Sequence, residues 1–294
     1  MAAHRPKGAR TKGIGVGAVL AVLIVLGVLA LIGRSNDENQ KPPPPAIGVG
    51  CIVRGHDGFD VPLTAGQAGI AATIAAVADD RALPVRAVTI AYATALQESD
   101  LENLPYGDRD SVGVFQQRPS QGWGTRAELL DPVYATTKFF AALAEIPNYR
   151  HLPIYRAAQD VQRSADGYAY SQYSVQGAVM AAGFAGWQAR SIYCWYGSGV
   201  GKRANLAATD KDLTTAFGAL SIEHVGDPVT AVRVRTHAAG WAVATWLVTH
   251  AGDYGIKTVR FSGYEWTAAN GQHGWVKARR NRHWPAGKLT VAFG

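Results

Sequence analysis

The chain has 294 residues, 48% of them hydrophobic and 17% charged, with a formal net charge of +7 and a pI near 9.4. These proportions exclude a disordered chain and leave room for two modest domains with appendages. The positive balance draws it to polyanions, which include nucleic acids, anionic lipids and the acidic polymers of a bacterial cell wall, without choosing among them.

The N-terminus narrows the choice. Arg5, Lys7, Arg10 and Lys12 precede residues 13–33, a run of Gly, Ala, Val, Leu and Ile with no charge, long enough to cross a bilayer as a helix of about 20 residues. Arg34 and Lys41, which follow, are offset by Asp37 and Glu38, so the asymmetry predicts a cytoplasmic tail over 1–12, a transmembrane helix over 13–33 and the remainder outside the cell. A cleaved signal peptide is the competing reading, although its apolar region is usually shorter; both readings export the rest of the chain. Residues 34–50 hold a polar cluster and then Pro42, Pro43, Pro44 and Pro45, a composition that predicts a stiff spacer.

The two cysteines, Cys51 and Cys194, both lie on the side read as external, where disulfides persist, so they are expected to pair; two unpaired buried thiols are the alternative. Between them the local signals are mainly helical. Thr64 and Gln67 form a capping box before an Ala-rich run that reaches Leu83, and Pro84 is placed to open a second helix. In that second helix Ala87, Ala91, Ala95 and Glu98 step by four, four and three along one stripe of small residues. Small neighbours leave room for a substrate beside the carboxylate, and the negative end of a helix disfavours its ionised form, which suits a general acid. On this local argument alone, a solvated Glu at a helix end is the competing reading.

The order of motifs from Glu98 onward adds a resemblance. Glu98-Ser99, then Ser111-Val112-Gly113-Val114-Phe115-Gln116, then Asp131-Pro132 leading a run with Phe139 and Phe140, resembles the lysozyme-like lytic transglycosylase family. The loop Gly107-Asp108-Arg109-Asp110 and the stretch Ala157-Ala158-Gln159-Asp160-Val161-Gln162-Arg163-Ser164 look closest to an actinobacterial cell-wall lineage of that family. The resemblance covers most of the segment between the cysteines. It implies that Glu98 protonates a glycosidic oxygen and that Gln116 holds a sugar substituent. Ser111 and Gln117 are candidate hydrogen-bond partners of the sugar, Tyr106 and Trp123 candidate stacking platforms, and Phe115 is read as core in preference to ligand. The Ala-Tyr-Asn turn that usually brings a Tyr into such sites is absent, and Tyr168 and Tyr170 are the nearest replacements. Asp108 and Asp110 are possible second carboxylates; the family's own solution is a single Glu that acts first as acid and then as base, giving a 1,6-anhydro product.

Beyond Cys194 the pattern shifts. Residues 229–234, 258–261 and 289–293 read as strands and 241–250 as a helix, a separate α/β module over 214–294. This part looks like a C-terminal module of similar actinobacterial wall proteins, itself distantly like zinc D,D-peptidases. Where those place a final His-x-His, this chain has Lys288-Leu289-Thr290, so a binding or scaffolding role is expected. His237, His250, His273 and His283, with Asp253 and Glu265, match no ordinary zinc spacing, and neither metal nor cofactor is expected. Lys277, Arg279, Arg280, Arg282 and Lys288 among Trp275 and Trp284 suit an anionic wall polymer or a protein-complex partner better than nucleic acid, given the external placement.

The sequence therefore predicts a multi-domain chain: a single N-terminal transmembrane helix, a mainly-α lysozyme-like domain over 51–200 and a small C-terminal α/β domain. The expected function is cleavage of peptidoglycan glycan strands at the MurNAc-GlcNAc β-1,4 bond by Glu98, in a protein anchored in the cell membrane and facing outward. The alternative is a non-catalytic wall-binding or assembly component of a secretion or conjugation apparatus.

Overall fold

Helix starts written into the sequence form where expected. In the computed structural model, which describes residues 50–56, 58–164, 167–197, 204–226, 228–279 and 288–294, Thr64 Oγ1 accepts from the Gln67 amide at 3.1 Å and Gln67 Oε1 accepts from the Thr64 amide at 2.9 Å. This capping box opens α1 (Ala65–Asp80). Pro84, extended, then opens α2 (Val85–Ser99). Asp131 caps α4 (Pro132–Ala144) through its carboxylate, after the single-turn α3 (Arg126–Leu129). α5 (Ile154–Gln162) and α6 (Ser174–Phe184) complete a bundle in which α2 lies against α6, α5 and α1. Close approach is possible because Gly177 of α6 faces the backbone of α2: a Cβ there would lie 3.0 Å from Thr89 O.

Two antiparallel sheets flank the helices. β1 (Gly50–Val53), β2 (Val61–Leu63) and β3 (Ile192–Trp195) order as β2-β1-β3, with Cys51 directly opposite Cys194. The two cysteines form the expected disulfide. Closing a loop across 143 positions stabilises the fold by about 5 kcal/mol on the chain-entropy argument. Gly50, read as the end of the Pro-rich spacer, already belongs to β1.

The second sheet runs β4-β5-β9-β6-β7-β8, from β4 (Ser221–Gly226), β5 (Val229–Arg233), β6 (Ile256–Phe261), β7 (Tyr264–Thr267), β8 (Val276–Lys277) and β9 (Lys288–Phe293). Before it comes α7 (Leu206–Phe217), a helix that the sequence reading did not foresee, and within it α8 (His237–Thr249) and the single-turn α9 (Ala251–Tyr254). The expected strands and helix of this segment are present. Lys288 donates to Glu223 Oε2 at 2.6 Å and Trp275 is buried against Trp241, whereas Arg280, Arg282, His283 and Trp284 lie outside the described residues.

The expected fold class needs correction. The described residues belong to one compact unit of mixed helices and sheets, not to a mainly-α domain followed by a separate α/β domain. The physical reason is α8, which is apolar all round, so that one face cannot satisfy it. It packs on β6 and also on α1 and α6. Gly186, with φ 75°, makes room for it: a Cβ there would sit 2.0 Å from Ala238 O. Trp266, fully buried in β7, donates its indole N–H to Cys194 O at 3.1 Å, and Arg235 pairs with Asp79 at 2.9 Å. One hydrophobic core thus runs from Cys51 to Phe293. The transmembrane helix in that fold class is also not supported: among the described residues no helix is long and apolar enough to cross a membrane, and residues 13–33, together with the tail 1–12 and spacer residues 34–49, lie outside the described residues.

Candidate active site

Glu98 occupies the last turn of α2, and the chain immediately after it is shaped to stop the helix and start a loop. Asp100 and Leu101 both take left-handed conformations, with φ 53° and 60°, which ends the helical hydrogen bonding. Gln67, the capping-box residue of α1, extends its amide to Asp100 O at 2.8 Å. Ser99 is buried, and its hydroxyl, 3.1 Å from Ala95 O, also lies 2.7 Å from Val114 O. The Glu-Ser pair therefore has a local logic: the serine fastens the 111–117 turn to the helix end that carries the glutamate.

The turn is equally determined. Val112 and Gln117 form an antiparallel bridge, exchanging backbone hydrogen bonds of 3.0 and 3.1 Å. Gly113 has φ 78°, and a Cβ on it would meet Leu129 O at 2.3 Å, so only glycine fits. Phe115 is fully buried and stacked on Phe139 at 4.4 Å, as expected of a core residue. Gln117 is buried and donates to Ala135 O at 3.3 Å. Gln116, at φ 46°, donates to Gly113 O at 3.2 Å and Tyr106 O at 3.3 Å. A Cβ on Gly107 would come within 1.8 Å of Gln116 Oε1.

A cleft of about 380 Å³ opens over this turn. It brings together Glu98, Asp108, Ser111, Gln116, Gln117 and Trp123 of the predicted candidates, and adds Arg118 and Gln162. Tyr106 and Tyr168 do not line it. Both are exposed, at 69% and 73%, and Tyr168 leans on Tyr155 with ring centroids 4.8 Å apart. The tyrosine that reaches the carboxylate is Tyr170, which is buried and donates from its hydroxyl to Glu98 Oε1 at 2.6 Å. Gln162, at the end of α5, donates its Nε2 to the same Oε1 at 3.1 Å and to Phe115 O at 2.8 Å.

Gln162 belongs to the stretch Ala157-Ala158-Gln159-Asp160-Val161-Gln162-Arg163-Ser164, whose sequence assigns it no site role. Its signal was faint: it stands four residues beyond buried Ala158 and next to buried Val161, a polar residue that continues the apolar face of α5. Nothing local marks Tyr170 over Tyr168, because the choice depends on how the 3-10 segment Gly167–Tyr173 rolls against α2.

Charge near the cleft is arranged rather than free. The Arg118 guanidinium, at 2.8 Å, and the Ser120 backbone N–H, at 2.7 Å, hold the Asp110 carboxyl far below the usual carboxylate range. Asp110 is therefore an anion that braces the 110–120 loop, poorly suited to proton transfer near neutral pH. Asp108 is 89% exposed and faces Arg109 at 3.8 Å, a pair worth little in water. Among the described residues, no group of three or more His, Cys, Asp or Glu is arranged to hold a metal ion. The chemistry on offer is thus one carboxylate anchored by two donors, with the exposed Asp108 beside it, at the edge of a polar, amide-rich cleft. No protein-family model matches the chain, and no curated protein matches it.

Proposed function

We propose that the protein is an exported enzyme that cleaves peptidoglycan glycan strands at the MurNAc-GlcNAc β-1,4 bond, with Glu98 as general acid and then general base. The observation that carries this reading is the anchoring of Glu98 at the cleft by Tyr170 and Gln162. A surface glutamate at a helix end has no need of two donors drawn from elements more than 60 residues away. The polar lining of the cleft, which includes Ser111, Gln116 and Gln121, suits the hydroxyl and N-acetyl groups of such a strand. The disulfide supports an oxidising, extracytoplasmic location.

In this mechanism Glu98 gives its proton to the glycosidic oxygen as the bond to the sugar carbon breaks. The resulting carboxylate then takes a proton from the attacking hydroxyl, either the sugar's own, which leaves a 1,6-anhydro end, or water, which leaves a reducing end. The single-glutamate route is favoured because Asp110 is committed to Arg118 and Ser120, while the Asp108 carboxylate is 89% exposed beside Arg109. Mass spectrometry of the products released from purified peptidoglycan by the full chain tests it: anhydro ends are expected, and exclusively reducing ends would assign water as the nucleophile.

A further inference from the structure

The two hydrogen bonds to Glu98 fall on one oxygen, and this asymmetry has a chemical consequence. A carboxylate oxygen offers two lone-pair directions in the plane of the group. Oε1 receives one donor from Tyr170 Oη at 2.6 Å and another from Gln162 Nε2 at 3.1 Å. With Gln162, which can only donate, on one of them and the Tyr170 hydroxyl turned to donate along the other, both directions are filled and the proton falls to Oε2.

The Gln162 amide cannot serve this role in any other orientation. Its two N–H groups meet Glu98 Oε1 and Phe115 O; turned over, its carbonyl oxygen would face two acceptors. Phe115 O is a fixed reference, because the Phe115 ring is stacked on Phe139 and the preceding carbonyl is held by Ser99. Gln162 is fixed in turn by α5, whose Ala157, Ala158 and Val161 are buried and whose end is set by the left-handed Arg163, φ 54°. Without these contacts the last torsion of a glutamate is broad and two-fold, so its two oxygens exchange places.

We infer that Gln162 is a positioning residue that pins Glu98 Oε1, so that the transferable proton is carried on Oε2. Resting on the glycan-cleaving reading above, this means that the Oε2–H bond is the one that breaks when the glycosidic oxygen is protonated, and that Oε2 takes back the proton of the attacking hydroxyl. Oε1 stays bound to the protein throughout. Gln162 touches no reacting atom; it acts through Glu98 and ties the acid to the same turn that lines the cleft.

The test compares the full chain with Gln162→Met, which keeps length and removes both donors, on soluble MurNAc-GlcNAc oligomers. A misaligned acid is expected to cost on the order of 10²-fold in kcat with KM unchanged within twofold, and the melting temperature is expected to stay close to that of the unaltered protein. Should Gln162→Met fail to fold, Gln162→Asn, which keeps the amide but draws it back from Glu98, is expected to show the same kcat loss. Unchanged kcat in a folded variant would overturn the inference while leaving the glycan-cleaving reading standing. A rise in KM alone would also overturn it, because that marks a residue that binds sugar. No cleavage by the unaltered chain would remove the reading itself and the inference with it.

Discussion

At the scale of single residues, the candidate site is defined by what holds one carboxylate. Tyr170 donates to it from a buried position, and a hydrogen bond to a charged partner contributes about 1.5–3 kcal/mol. Tyr170→Phe keeps the buried ring and removes only the hydroxyl, so glycan cleavage is expected to fall about 10- to 100-fold, as read from initial rates on soluble oligomers. Tyr168→Phe, at an exposed ring away from the cleft, is expected to leave the rate unchanged; the reverse ranking of the two variants would count against the site described here. Asp110 gives a second prediction at this scale. Arg118 and Ser120 lower its pKa in the folded protein, whereas in the unfolded chain an Asp titrates near 3.9. Its contribution to stability is therefore present above about pH 4 and is lost as the pH falls through the lower folded value. Melting temperatures of Asp110→Asn should fall less steeply below pH 4 than those of the unaltered protein.

At the scale of elements, the junctions between helices decide the architecture. His250 ends α8, its ring stacked on Trp246 with centroids 4.0 Å apart and its Nε2 only 3.3 Å from where a Cβ on Gly69 of α1 would stand. Burial is the main cause that pushes its pKa down; its contact with Trp246 O and the charges of Asp253 and Asp212 oppose it. A histidine titrates near 6.5 when unfolded, so the folded state is favoured fully above that pH and loses stability as the pH drops below it. His250→Gln is expected to flatten the dependence of melting temperature between about pH 6.5 and 5; an unchanged slope would show that the ring is not buried as described. Helix starts were legible because their signals are local: Thr64 with Gln67 and Asp131 before Pro132 cap amides within three residues, and Pro84 brings a fixed φ to the entry of α2. The anchoring of Glu98 was not, since Gln162 and Tyr170 lie 64 and 72 positions away. No short-range pattern records a pairing that only the packing of α5 and the 3-10 segment against α2 creates.

At the scale of the whole molecule, the main departure from expectation is the shared core. Strands such as Val229–Arg233 and Lys288–Phe293 were readable from alternation and β-branched residues. What could not be read was where α8 would turn its faces, because a helix that is apolar all round gives no direction. Its burial on both sides joins the helices and the second sheet of the described unit in one core. Unfolding followed by circular dichroism and by Trp fluorescence is expected to give one coincident transition, and two resolved transitions would restore the separate domains. Gly186→Ala places a Cβ against Ala238 O at a left-handed position and is expected to destabilise that single transition by about 2 kcal/mol or more. Reducing the Cys51–Cys194 bond is expected to lower it by up to about 5 kcal/mol.

The central claim is that Glu98 is the acid of a glycan-cleaving site, and the most direct measurement is a gel overlay with purified peptidoglycan, comparing the full chain with Glu98→Gln. Clearing by the unaltered protein and none by Glu98→Gln, with the melting temperature of the variant close to that of the unaltered chain, is the predicted result. Equal clearing by both, or none by the unaltered protein against several walls, would contradict it.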